Sequence, residues 1–348
     1  MSGPAKKILA RAGLWWILLA GCSALAATAQ DDGQDQKIPT LHAYADLVQV
    51  PTLVLGKDRR PLPPIPESRF FVSIDGGPKF RVTHARLEGD DPISLAILLD
   101  LSDPDRTLMR TIDEVISSLA PAELHDHDRV AVYALDCQLI RAPLGFPVDR
   151  DALKLAVRIA LSGWKARGEA RMKPGCADRR FLWDSIGMVT NGLYQQSGRR
   201  VMLVLSDGFD SGSRNSWSAI REYAQERGVA VFGMPEGYIA LGYPKDFASL
   251  CELTGGVVLL SDGTSPAKQM ARFMDLVRGR YIVEFPHPVS TEGGYRLMEI
   301  TIARSDAFIR PSGISVPLDN PAILNDPNTV RPDPSHAPAP GTHRTKPL

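Results

Sequence analysis

The chain has 348 residues, 44% of them hydrophobic and 23% charged, with Lys+Arg and Asp+Glu both at 40. That mixture can bury a sizeable core, and the length suggests roughly two domains. A formal net charge of zero leaves no cationic excess to neutralise phosphates, which argues against a nucleic-acid partner.

Residues 1–29 read as an export signal. Lys6, Lys7 and Arg11 precede the apolar run GLWWILLA over Gly13–Ala20. That run is shorter than the ~20 apolar residues of a membrane-spanning helix. Its end reads two ways. Ala24-Leu25-Ala26 and Ala27-Thr28-Ala29 fit ordinary signal cleavage, while Leu19-Ala20-Gly21-Cys22 resembles a bacterial lipobox. A lipid on Cys22 would be the sole membrane attachment. Either end makes the chain exported: periplasmic, an outer-envelope lipoprotein, or secreted.

Residues 30–42 form a polar, flexible lead-in. From 43 to 92 the pattern is β-like. Leu47 to Leu55 is apolar, four prolines between Pro61 and Pro66 stop any helix, and Phe70–Ile74 and Phe80–Val82 flank the turn Asp75-Gly76-Gly77-Pro78. From 93 to 280 the rhythm becomes strand–helix. The strand candidates are Ile93–Asp100, Val130–Leu135, Val201–Leu205, Val229–Met234 and Val257–Leu260. Such continuous apolar runs suit strands buried on both faces of a parallel sheet. Between them, apolar residues recur at three- and four-residue spacing, as in Leu182, Ile186, Val189 and Leu193. Gln138–Ala142 directly follows its neighbour and reads as an antiparallel strand. The expected fold is therefore α/β, a doubly wound and mostly parallel sheet. Residues 281–320 return to β character and should join 43–92 as a small companion β domain, since neither piece can form a core alone. Residues 321–348 hold seven prolines in 28 residues and read as a disordered tail.

In open α/β sheets ligands sit at the carboxyl ends of the strands. There the sequence places Asp100-Leu101-Ser102 and Ser206-Asp207-Gly208-Phe209-Asp210. Together with Ile74-Asp75-Gly76 and Leu182-Trp183-Asp184-Ser185-Ile186, these motifs resemble, in order, those of von Willebrand factor type A domains, and most closely the related exported proteins of acidobacteria. The resemblance runs from about Ala43 to Val316. It implies a binding rim of adhesion type, without catalysis, built from Asp100, Ser102, Asp103, Arg180, Asp207 and Asp210. In that family the rim holds a divalent cation such as Mg²⁺, which favours oxygen ligands. Asp100, Ser102 and Asp207 match ligand positions. Pro104 stands where a second serine belongs, and Arg180 where a threonine belongs. The site therefore reads as degenerate: no cofactor is expected, a divalent cation being the alternative. The partner would be a protein of unstated identity. A structural envelope protein with a relic rim, or a metal-dependent hydrolase using Asp100 or Asp207, are the competing functions.

Beyond Cys22 the chain has Cys137, Cys176 and Cys251, so at most one internal disulfide forms. The resemblance would put Cys137 and Cys176 both on the rim, where they could be bridged, and leaves Cys251 as a buried thiol in a helix over 246–253. His125-Asp126-His127-Asp128 lacks further metal ligands and reads as a solvated loop. No Gly-x-Ser-x-Gly, Walker loop or GxGxxG motif occurs.

Overall fold

The structure, a computed structural model, describes residues 42–43, 47–102, 108–136, 138–142, 149–169, 179–235, 243–259, 265–288, 296–313, 329–330 and 337–341. The export signal, Asp103, Pro104, Cys137 and Cys176 lie outside the described residues, and so does the expected disulfide.

In chain order, β1 (His42–Ala43), β2 (Leu47–Leu55), β3 (Phe70–Ile74), β4 (Phe80–Arg81) and β5 (His84–Leu87) come first. The strand–helix region follows. It holds β6 (Ile93–Asp100), α1 (Ile112–Ser117), β7 (Arg129–Asp136), β8 (Gln138–Ala142), α2 (Arg150–Glu169) and α3 (Leu182–Tyr194), then β9 (Arg199–Leu205), α4 (Trp217–Glu226), β10 (Val229–Met234), α5 (Lys245–Leu253) and α6 (Pro266–Arg278). The strands β11 (Tyr281–Pro286), β12 (Met298–Ile302), β13 (Phe308–Pro311) and β14 (Thr329–Val330) close the chain.

The central sheet has the order β10-β9-β6-β7-β8, parallel except for β8, which runs antiparallel to β7. Every residue of β6 is buried, because both faces are covered. Alternation divides the strand between two cores. Ile93, Leu95, Ile97 and Leu99 face one cluster with α1, α2 and α6, while Ala96 and Leu98 face another with α3, α4 and α5. The chain leaves β6 toward β7 and β8, then returns to its other side with β9 and β10. The strand order thus reverses at β6, and in such sheets ligands bind beyond the carboxyl ends of the strands at the reversal, here β6 and β9. The strand expected over Val257–Leu260 is reduced to one bridge, Gly233 to Val258.

The flanking β pieces pair with each other. One antiparallel sheet runs β13-β2-β11-β5 and another β12-β3-β4. Their inner faces meet over Val48, Val50, Phe70, Val72, Val283 and Phe285. The opposite face of β2 gives Leu53 and Leu55 to the core of the α/β unit, so one strand belongs to both. Charge also fills the junction. Arg280, only 1% exposed, donates to both carboxylate oxygens of the fully buried Glu88 at 2.8 Å each. Two parts of the proline-rich tail are placed: β14 pairs with β1, and the amide of Gly341 donates to the carbonyl of Ile74 at 3.0 Å.

His125–Asp128 is less solvated than its polarity suggests. Asp128 is fully buried, accepts the amides of Ile93 (3.0 Å) and His125 (2.8 Å), and pairs with Arg278. Four adjacent polar residues read as a wet turn, yet one of them ties three segments together.

Candidate functional site: a rim closed by an arginine

Asp100 ends β6 with no exposed surface. Its Oδ1 accepts the amide of Ser102 at 3.0 Å and the Ser102 hydroxyl, and its Oδ2 accepts the Ser206 hydroxyl at 2.6 Å. Ser206 Oγ in turn accepts the amide of Gly208 at 3.0 Å. A carboxylate withdrawn from water needs donors on both oxygens, and the two strand ends supply them.

Asp207 has other partners. Its Oδ1 accepts the amide of Phe209 at 3.0 Å, and its Oδ2 accepts Arg180 Nη1 at 2.6 Å. The two side chains are 19% and 24% exposed, so the charge-assisted bond is partly shielded from solvent. Arg180 also holds the loop through its backbone. Its amide donates to Ser211 Oγ at 3.0 Å, and its carbonyl accepts the amides of Ser211 and Gly212 at 3.1 and 2.9 Å.

The same loop caps α3. Phe181 at the N-cap has no side-chain oxygen to offer the first amides. Asp210 Oδ1 accepts the Trp183 amide at 3.2 Å, and Ser213 Oγ accepts the Asp184 amide at 3.1 Å. Asp184 returns the bond by accepting the amides of Arg214 (2.9 Å) and Asn215 (3.1 Å) and the Asn215 side chain (2.8 Å). Burial alone would raise the Asp184 pKa, but these donors and the nearby Arg214 charge hold it below the usual carboxylate range. Underneath, Phe247 of α5 supports the turn. Gly208 has φ +82°, and a Cβ there would lie 2.8 Å from Phe247 Cβ, so only glycine fits.

No protein-family model matches the sequence, and no curated protein matches it. Similar solved structures include an aerotolerance-related membrane protein from Bacteroides fragilis, at 12% identity and a TM-score of 0.38, spanning 53% of this chain and 98% of that one. Proximal thread matrix protein 1 of the mussel byssus gives 13% identity and 0.43, spanning 58% and 49%. Manganese-loaded TRAP protein of Plasmodium vivax gives 12% and 0.36, spanning 63% and 80%. A further neighbour is the VWA domain of SpRpn10. The doubly wound, mostly parallel α/β fold of this chain is read from its own strand order, not from overlaps of that size.

Of the residues singled out in the sequence, Asp100 and Ser102 share one bonded cluster, and Arg180 and Asp207 another. Asp210 is used in capping α3, and Asp103 is outside the described residues. Among the described residues Arg180 bonds Asp207 and not Asp100, whose charge is met by hydroxyls instead. Ser206 and Asp184 escaped selection as site residues, although both stand inside the quoted motifs; only the contacts show what they hold. A divalent cation suits this donor set poorly. Ser102 and Ser206 already donate to Asp100, and a guanidinium occupies an oxygen of Asp207. Among the described residues no three His, Cys, Asp or Glu side chains gather into a metal-holding group, and no helix is long and apolar enough to cross a membrane.

Proposed function

We propose that this protein is an exported, non-catalytic binding module whose rim recognises a protein partner without a metal ion. The observation that carries this reading is the 2.6 Å bond from Arg180 Nη1 to Asp207 Oδ2. Arg180 is a permanent cation on a tether. It supplies at the rim the positive charge that a divalent ion supplies in the adhesion domains this sequence resembles. The serine hydroxyls that would ligate such an ion are turned onto Asp100 and so are already engaged. Export is supported by Lys6, Lys7 and Arg11 ahead of the GLWWILLA run, with Cys22 as the lipid-bearing residue if the lipobox is used.

Calorimetric titration of the purified chain with Mg²⁺ and Mn²⁺ tests the reading. We expect no binding heat at millimolar ion. Binding tighter than about 1 mM, the weak end for extracellular cation modules, overturns it.

A further inference from the structure

We propose that Phe209 is the anchor by which this rim holds its partner, and that the partner presents aliphatic side chains bordered by carboxylates. This rests on the rim being the binding face. Phe209 is 54% exposed, two residues beyond Asp207. Exposed apolar residues are common on protein surfaces and ordinarily mean little. What distinguishes this one is its support. The Phe209 amide is held by Asp207 Oδ1. The preceding Gly208 amide is held by Ser206 Oγ. On the far side, Asp210 accepts the Ser213 amide at 3.2 Å and its hydroxyl at 2.5 Å, besides the amide of Trp183. Ser211 and Gly212 are fastened to Arg180. The backbone on both sides of the ring is therefore held by hydrogen bonds while the ring itself is half exposed.

A rigid loop presenting an aromatic ring has little ordering entropy left to lose on binding. Buried aromatic and arginine side chains carry most of the energy at protein interfaces. The charge around the ring selects the partner's chemistry. Asp184, Asp207 and Asp210 all turn their oxygens onto amides, hydroxyls or Arg180. Arg179 and Arg214, in contrast, are exposed. Arg179 lies beside the loop, its Cβ 3.3 Å from where a side chain on Gly212 would begin. Among the described residues the loop thus carries a half-exposed aromatic ring, with the exposed Arg214 five positions on and Arg179 packed beside Gly212, while Asp184, Asp207 and Asp210 are engaged. Acidic groups around an apolar cluster complement that face.

The probe is a random peptide library displayed on phage and panned on the full chain. Leu155 and Ile159, exposed on α2, offer a competing apolar surface. We expect the recovered peptides to combine aliphatic residues with Asp or Glu. Phe209→Ala should weaken their binding by ~30-fold or more, as for an interface hot spot. Arg179→Glu with Arg214→Glu should weaken it several-fold at low salt and remove its salt dependence. Leu155→Ser should leave it unchanged. Peptides lacking acidic residues, or binding the Phe209→Ala chain equally well, overturn the proposal. So does Phe209-dependent self-association in ultracentrifugation, which would make a second copy the occupant. Phe209-dependent peptides whose binding is abolished by a chelator would refute the metal-free rim while leaving the anchor standing.

Discussion

Arg180→Ala separates the charge of the rim from its scaffold. The change removes the Nη1–Oδ2 bond to Asp207 but keeps the backbone amide and carbonyl that hold Ser211 and Gly212. A bond between charged groups contributes about 1.5–3 kcal/mol. Asp207 is 19% exposed, so water replaces part of the loss, and about 1–2 kcal/mol is expected. At roughly 2–4 °C per kcal/mol, the melting temperature should fall by about 2–8 °C. Without the guanidinium, Asp207 should then accept a cation. With a dissociation constant of about 1 mM, 10 mM Mg²⁺ returns about 1.4 kcal/mol, most of the deficit. The assay is thermal unfolding of the unmodified chain, Arg180→Ala and Arg180→Lys, each with Mg²⁺ or with chelator. Only the alanine variant should respond to the ion, because lysine preserves the tethered charge. An equal upward shift in the unmodified chain would refute the argument that Arg180 excludes the cation.

Glu88→Gln should cost about 3–5 kcal/mol in denaturant unfolding, since it leaves the buried Arg280 guanidinium uncompensated, and Arg280 Nη1 already lacks a partner among the described residues. Glu88→Leu combined with Arg280→Met should recover most of that loss; no recovery would show that the pair does more than neutralise itself. Asp184→Asn should destabilise by about 1–2 kcal/mol at pH 6. Because the folded pKa of Asp184 is depressed, this contribution is full above the unfolded value of about 3.9 and vanishes as pH falls through the folded value, so the two proteins should converge below pH 4. A pH-independent difference would assign the effect to shape instead of charge. Cys251 is fully buried, and burial raises its thiol pKa steeply, so it should resist alkylation at pH 8 until the chain unfolds. Labelling of the native protein at Cys251 would contradict that placement.

The α/β architecture could be read in the sequence because both faces of the central sheet are buried. Strands such as Ile93–Asp100 then become unbroken apolar runs, and the covering helices become regular stripes. Local pattern of that kind is set by which side chains tolerate water. The rim was legible only as a row of polar residues at strand ends. Which oxygen faces which donor depends on segments far apart in the chain, such as Asp100 with Ser206, Arg180 with Asp207, and Asp184 with Asn215. Asp210 reads as a rim residue in the sequence, and the fold spends it on capping α3, while Asp184, not singled out there, holds the loop that follows. Phe209 carried no signal at all, since one aromatic residue in a loop has no periodicity. The Glu88–Arg280 pair was equally silent, because a charged residue in sequence is presumed solvated. Only the folded chain can surround it with apolar neighbours and bring its counter-charge from 192 positions away.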